Sequence, residues 1–162
     1  MTGEPGHGFP GGVQRVEEGW GDWNGHLNMA YYNVLFDRGI EDFLAAIGIT
    51  ADTVAAGGGS TFTLEAHVTY LRELMIGDEV RVWTRVLDHD AKRIHVVQSM
   101  EKLPEGWIAA TSENMLLHVS LDTRRAAPFA PEVAATLEAM AAEHAALPVP
   151  PQVGHRIGIP RK

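Results

Sequence analysis

The chain contains no cysteine. That excludes disulfides, thiolate metal ligands and a cysteine nucleophile together. No apolar run is long enough to span a bilayer, and the Gly- and Pro-rich N-terminus lacks the apolar stretch of a secretory signal. A soluble, cytoplasmic protein is the expectation. Positive charge is scarce: 13 Lys and Arg stand against 21 Asp and Glu, a formal net charge of −8. Such a balance argues against general nucleic-acid binding. It leaves room for an anionic small ligand, because a local cluster of Arg and Lys suffices. There is no Gly-x-Ser-x-Gly nucleophile elbow. Gly57-Gly58-Gly59 lacks the Lys-Ser/Thr ending of a phosphate loop. The histidines have no metal-site spacing: His89 and His95 flank a turn, His118 stands alone, and no helical His pair brackets a Glu. No metal is expected.

What is present fits one domain. At 162 residues, with 45% hydrophobic and 21% charged residues, the chain can bury a sizeable core. Met1 to Gly12 reads as a flexible lead-in, residues 13–147 as the folded domain, and residues 148–162 as a Pro-rich tail with little packing. Val13 to Glu18 suits a short first strand. After a loop, Met29, Tyr32, Phe36, Ile40, Phe43 and Ile47 recur at three and four residues, which is one face of an amphipathic helix. Asn28 caps it and Gly48 stops it. Gly39 inside that run predicts close packing.

The period then changes to two. Phe62, Leu64, Ala66, Val68 and Tyr70 alternate with Thr63, Glu65, His67 and Thr69. Glu79 to Leu87, Arg93 to Lys102 and Trp107 to Leu121 follow as further strands, separated by short turns that imply an antiparallel meander. Ala-rich Pro131 to Ala146 reads as a C-terminal helix. One long helix can bury its apolar face only by lying across a sheet that curls around it. The expected class is α+β: a hotdog fold, with a five-stranded antiparallel sheet wrapped on one long helix. Open sheet edges predict at least a dimer.

Chemistry concentrates in Gly21-Asp22-Trp23-Asn24-Gly25-His26-Leu27-Asn28, which feeds the N-terminus of the long helix. A helix N-terminus offers unpaired N–H groups and partial positive charge. A carboxylate beside such donors can attack a carbonyl, or deprotonate water, while the donors hold the oxyanion. Asp22 is either that acid or a turn-former. His26 is a base, a donor to a carbonyl, or a brace for the loop. Asn28 is the helix cap, with or without a contact to substrate. Trp20, Trp23, Tyr31 and Tyr32 either pack a core or dimer seam, or line an acyl pocket, or cradle a cation on their ring faces. Glu65 and His67 share one strand face, as an interface pair or as a second acid/base group.

The loop and helix resemble the 4-hydroxybenzoyl-CoA thioesterase-like branch of the hotdog superfamily. The resemblance rests on Asp22 to Gly25, His26-Leu27-Asn28 and Ala30-Tyr31-Tyr32. A second element also matches: Leu64-Glu65, Val68 to Arg72, and Gly77-Asp78-Glu79-Val80. Within that branch, the group of thioesterase-like and betainyl-CoA thioesterases is the most similar. The resemblance implies that Asp22 is nucleophile or general base on a thioester carbonyl. It implies that the Met29 backbone N–H polarises that carbonyl; Gly25, Tyr32, Trp20, Trp23 and His67 are the further candidates for contact with the substrate. Lys92 and Arg93, then Arg124 and Arg125, match basic residues that meet coenzyme A phosphates; both pairs are otherwise ordinary surface charges. Glu65 matches an acidic position without an assigned step. An acyl-CoA substrate, no separate cofactor and a homodimer or homotetramer are implied. The loop also resembles hotdog hydratases, where a Pro stands at the place of Gly25. Hydration of an enoyl-CoA and non-catalytic acyl-CoA binding are the alternatives.

Overall fold

The computed structural model describes residues 8–161. The first strand, β1 (Phe9–Arg15), begins well before Val13, inside the stretch expected to be a lead-in. The rest of that stretch, Met1 to His7, lies outside the described residues. A single 3-10 turn (Glu18–Trp20) precedes the loop, and α1 (Met29–Ala46) follows it. A short α2 (Ala51–Ala55) was not anticipated; Thr50 caps it by accepting from the Thr53 N–H. Then come β2 (Ser60–Tyr70), β3 (Glu79–His89), β4 (Arg93–Leu103), β5 (Trp107–Ser120), the two-residue β6 (Arg125–Ala126) and α3 (Pro131–His144).

The sheet is antiparallel throughout, in the order β1-β3-β4-β5-β2, with β6 pairing the end of β5. It curls around α1, as the alternation and the single long helix predict. The α1 face that turns inward is Tyr32, Leu35, Phe36, Gly39, Ile40 and Phe43. Met29, expected on that face, is 64% exposed at the helix head. Gly39 permits the closest approach. A Cβ there would lie 2.5 Å from Val82 Cγ1, so only glycine lets the helix sit this near β3. Beside it, the buried Gln98 Nε2 donates to the Phe36 carbonyl at 3.0 Å and ties the helix to β4.

The core divides into two clusters. One, at the head of α1, joins Trp20, Leu27, Tyr32, Leu35, Phe36, Leu74, Val80, Val82 and Met100. The other, at its tail, joins Ile40, Phe43, Ile47, Ile94, Val96 and Leu116 to Phe129, Val133 and Leu137 of the α3 region. Each fully buried Leu, Ile or Phe contributes about 1.5–3 kcal/mol, so the first cluster anchors the loop that α1 grows from. The tail is not wholly free. The Gly154 N–H donates to Glu113 Oε2 at 2.7 Å on the sheet. Among the described residues, no helix is long and apolar enough to cross a membrane.

Candidate active site

The segment between the 3-10 turn and α1 folds back on itself. The Asp22 N–H donates to the His26 carbonyl at 2.8 Å, and the Gly25 N–H returns to the Asp22 carbonyl at 3.1 Å. Gly25 takes φ +77, a left-handed conformation that a side chain would disfavour. Asp22 Oδ1 accepts from the backbone N–H groups of Asn24 (2.8 Å) and His26 (3.0 Å). Its turn-forming role is therefore real, and one oxygen performs it. Among the described residues Oδ2 has no hydrogen-bond partner, which leaves it available to a ligand.

A second segment, the connection from β2 to β3, holds this loop in place. The Leu27 N–H donates to the Leu74 carbonyl at 2.8 Å and the Ile76 N–H to the Gly25 carbonyl at 3.3 Å. His26 and Met75 form an isolated β-bridge. His26 Nε2 lies 3.3 Å from Glu73 Oε2. The Tyr32 hydroxyl accepts from the Leu74 N–H at 3.1 Å, and the Tyr70 hydroxyl donates to the Met29 carbonyl at 3.3 Å. The two rings meet edge to face at 5.1 Å. Burial pushes both phenols above their ordinary values, so they stay neutral.

Asn28 caps α1: its Oδ1 accepts from the Ala30 N–H at 3.0 Å, and its carbonyl from the Tyr31 N–H at 3.0 Å. The Met29 N–H has no acceptor among the described residues. It is one of the orphan donors that every helix N-terminus carries. Asp22, His26, Asn28, Met29 and Tyr32 line one cleft of about 480 Å³ with Tyr70, Leu71, Arg72 and Glu73. An acid with one unengaged oxygen, a residue with an unpaired N–H and a histidine thus line one space.

The remaining expected residues lie elsewhere in the chain. Trp20 is 9% exposed in the core, stacked on Tyr31 at 5.3 Å with the Arg38 guanidinium 5.1 Å from its ring. Trp23 is fully exposed at the loop tip. Neither lines the cleft. Glu65 and His67 pair with Met115 and Glu113 and line a separate hollow with His95 and His155. Burial opposes charge on Glu113, yet its hydrogen bonds from Gly154 and His95 win and hold its carboxyl below the usual range. Lys92 ends the β3–β4 turn and Arg93 opens β4, where its Nε donates to Asp90 at 2.8 Å. That pairing holds the Asp90 carboxyl down at about 2. Arg124 and Arg125 are exposed beside the end of β5. Both basic pairs occupy the end of the sheet where Arg93 pairs Leu117 and Ser60 pairs Val119. The cleft lies at the other end, where Tyr70 pairs Ala110.

Sequence reasoning missed Glu73 and gave Tyr70 only a place in a strand. Tyr70, Leu71 and Arg72 belong to the second element of the resemblance, and that was the available signal. Among the described residues no group of three or more His, Cys, Asp or Glu is placed to hold a metal ion.

Comparison with known proteins shows the family. Residues 16–137 match the model of the thioesterase-like superfamily. A betainyl-CoA thioesterase of Pseudomonas aeruginosa is 46% identical over 141 residues, covering 87% of this chain and 89% of that one. An L-carnitine dehydrogenase/betainyl-CoA thioesterase of Ruegeria pomeroyi is 37% identical over 87% of this chain and 28% of its own greater length. A Staphylococcus aureus protein whose structure was solved in complex with CoA superposes with a TM-score of 0.88 at 29% identity, covering 99% of this chain and 100% of that one.

Proposed function

The chain belongs to the thioesterase-like hotdog superfamily and is an acyl-CoA thioesterase, and we propose that Asp22 carries its chemistry. The supporting observation is the division of labour on one carboxylate. Oδ1 is fixed by two backbone donors while Oδ2 is unengaged, and Asp22 lines the same cleft as Met29, whose backbone N–H is unpaired among the described residues. Asp22 acts on the thioester carbonyl as nucleophile, forming a mixed anhydride that water then opens, or as general base on that water. The Met29 N–H and the head of α1 stabilise the oxyanion. Coenzyme A leaves as thiolate with little proton assistance, because thiols ionise near pH 8.5. His26 orients the loop or the carbonyl. No separate cofactor is needed, since coenzyme A arrives as part of the substrate.

The acyl group we propose is a small one bearing a trimethylammonium, as in betainyl-CoA; the Pseudomonas relative supports this. We also propose a dimer formed through β2. Among the described residues that strand is paired by β5 alone, and Phe62 and Leu64 are exposed on it. Antiparallel pairing of two β2 edges would carry the partner's basic end, with its Lys92–Arg93 and Arg124–Arg125 pairs, toward the cleft. A coenzyme A bound at Asp22 would then meet phosphate partners that its own protomer keeps at the far end. Light scattering showing an active monomer would refute the dimer.

Asp22→Asn tests the mechanism. The amide keeps an Oδ1 acceptor for the Asn24 and His26 N–H groups, so the loop survives, but Oδ2 is gone. Loss of such a group costs about two or more orders of magnitude in rate. Near-normal turnover by the folded variant would sink the assignment. Label found in the Asp22 side chain after a single turnover in ¹⁸O-water would assign it as the nucleophile, because a general base keeps its own carboxylate oxygens.

A further inference from the structure

We infer that Tyr70 and Glu73 are specificity-determining residues that read a quaternary ammonium on the acyl group, the ring as a cation-binding wall and the carboxylate as its counter-charge. The inference rests on the assignment of Asp22 as the reacting acid. In a trimethylammonium-acetyl thioester the cationic nitrogen is two bonds from the carbonyl carbon. Whatever recognises the cation must therefore line the same cleft as Asp22. Among the described residues the rings of Tyr32 and Tyr70 do so, and of these Tyr32 is 4% exposed while Tyr70 is 42% exposed. The hydrogen bond from the Tyr70 hydroxyl to the Met29 carbonyl and its edge contact with Tyr32 hold that ring at the helix head. Trp20 and Trp23 are excluded by position, one buried in the core and one exposed outside the cleft, and neither Trp83 nor Trp107 lines it.

The charges of the cleft point the same way. Asp22 and Glu73 both line it, and Glu73 Oε2 lies 3.3 Å from His26 Nε2. Arg72 also lines it, with its guanidinium held over the Trp107 ring at 4.3 Å; Arg72 and Glu73 both border the neighbouring hollow as well. An enzyme for a highly anionic carrier thus places two carboxylates where the acyl group reacts. For a neutral or acidic acyl group that arrangement is unhelpful. For a cationic one it is attractive, and ring faces add to it.

The test compares kcat/KM for betainyl-CoA and for tert-butylacetyl-CoA, in which a quaternary carbon replaces nitrogen with the same shape. The ratio of the two is the readout. Wild type should prefer the cation. Glu73→Gln should lower the ratio about tenfold, for a pair of opposite charges in a partly solvated cleft, and added salt should narrow that difference. Tyr70→Leu should lower it roughly three- to tenfold. Tyr70→Phe loses the bond to Met29 and slows both substrates, yet keeps the ring and therefore the ratio. Glu73 is solvent-exposed, so its variant does not threaten folding. Absence of a wild-type preference, or a wild-type ratio in either Glu73→Gln or Tyr70→Leu, overturns the inference. Turnover of both substrates by Asp22→Asn would instead overturn the mechanism it rests on, so the two failures are distinguishable.

Discussion

Replacing Gly39 with alanine should destabilise this protein, although the same change in an ordinary helix interior stabilises by about 1 kcal/mol. The added methyl would sit 2.5 Å from Val82 Cγ1, 2.7 Å from Val82 Cβ and 3.0 Å from Gln98 Nε2. Carbon atoms pack at about 3.5–4.0 Å, so both Val82 distances are overlaps. Rotating Val82 does not relieve them, because its Cβ is fixed by the backbone of β3. The helix must lift. Overpacking of this kind costs about 1–3 kcal/mol. Lifting also stretches the bond from Gln98 to the Phe36 carbonyl, whose net worth is about 0.5–1.5 kcal/mol. Set against the propensity gain, the net loss is about 1–3 kcal/mol. Urea denaturation should show a lower midpoint with an unchanged slope, and Tm should fall by about 2–4 °C for each kcal/mol lost. Gly19→Ala is the control: nothing lies within 4 Å of a Cβ there, so it should be neutral or stabilising by up to about 1 kcal/mol. A Gly39→Ala protein as stable as its parent would show that α1 does not depend on this contact.

Two further substitutions probe the helix ends. Burial, assisted by the nearby Arg85, holds the His144 imidazole below its ordinary value of 6.5, and its Nδ1 accepts the Val86 N–H at 3.0 Å. Its contribution is complete above pH 6.5 and is lost as pH falls through the lower folded value, with a slope of up to about 1.4 kcal/mol per pH unit. His144→Asn keeps an acceptor without a proton to gain, so that component of the acid slope should vanish from denaturation curves; identical slopes would refute the assignment. Asn28→Ala should cost about 1 kcal/mol through loss of the cap. Asn28→Ser should recover stability, and if turnover does not return with it, Asn28 touches substrate as well as capping α1.

Several elements were legible because their signals are local. The three-and-four spacing of α1, its Asn28 cap and the period of two in β3, β4 and β5 each follow from a few consecutive residues. The Asp22 loop was legible for the same reason. β1 was hidden because Phe9-Pro10-Gly11-Gly12 reads as loop. Proline and glycine are tolerated there because β1 is an edge strand, paired only by β3, with its register shifted between Pro10 and Val13. Tyr70 and Glu73 reach the cleft through backbone bonds between segments roughly fifty residues apart in sequence, such as Leu27 to Leu74. No local pattern encodes that.

The alternation of β2 shows most clearly where period-two reasoning stops. By parity, Phe62 and Ala66 share a face, and Glu65 and His67 share the other. The register shifts between Thr63 and Glu65. Before the shift, Thr63 stands opposite the buried Leu116, and Phe62 opposite Leu117 on the outer side. After it, Ala66 and Val68 stand opposite the buried Asn114 and Ser112, while Glu65 and His67 stand opposite Met115 and Glu113. One extra residue thus puts Phe62 and Ala66 on opposite faces, because a slip of one exchanges every side chain's side. It turns Glu65 and His67 toward His95 and His155, away from the helix and from the Asp22 cleft of their own chain. A role for either residue at Asp22 therefore has to come from a second copy. The sharpest check is subunit mixing: if Glu65→Gln lowers turnover, combining it with inactive Asp22→Asn should recover activity in the mixed dimers, where one of the two sites pairs an intact Asp22 with the partner's intact Glu65. Failure to recover any activity would leave Glu65 as a residue of the outer sheet face alone.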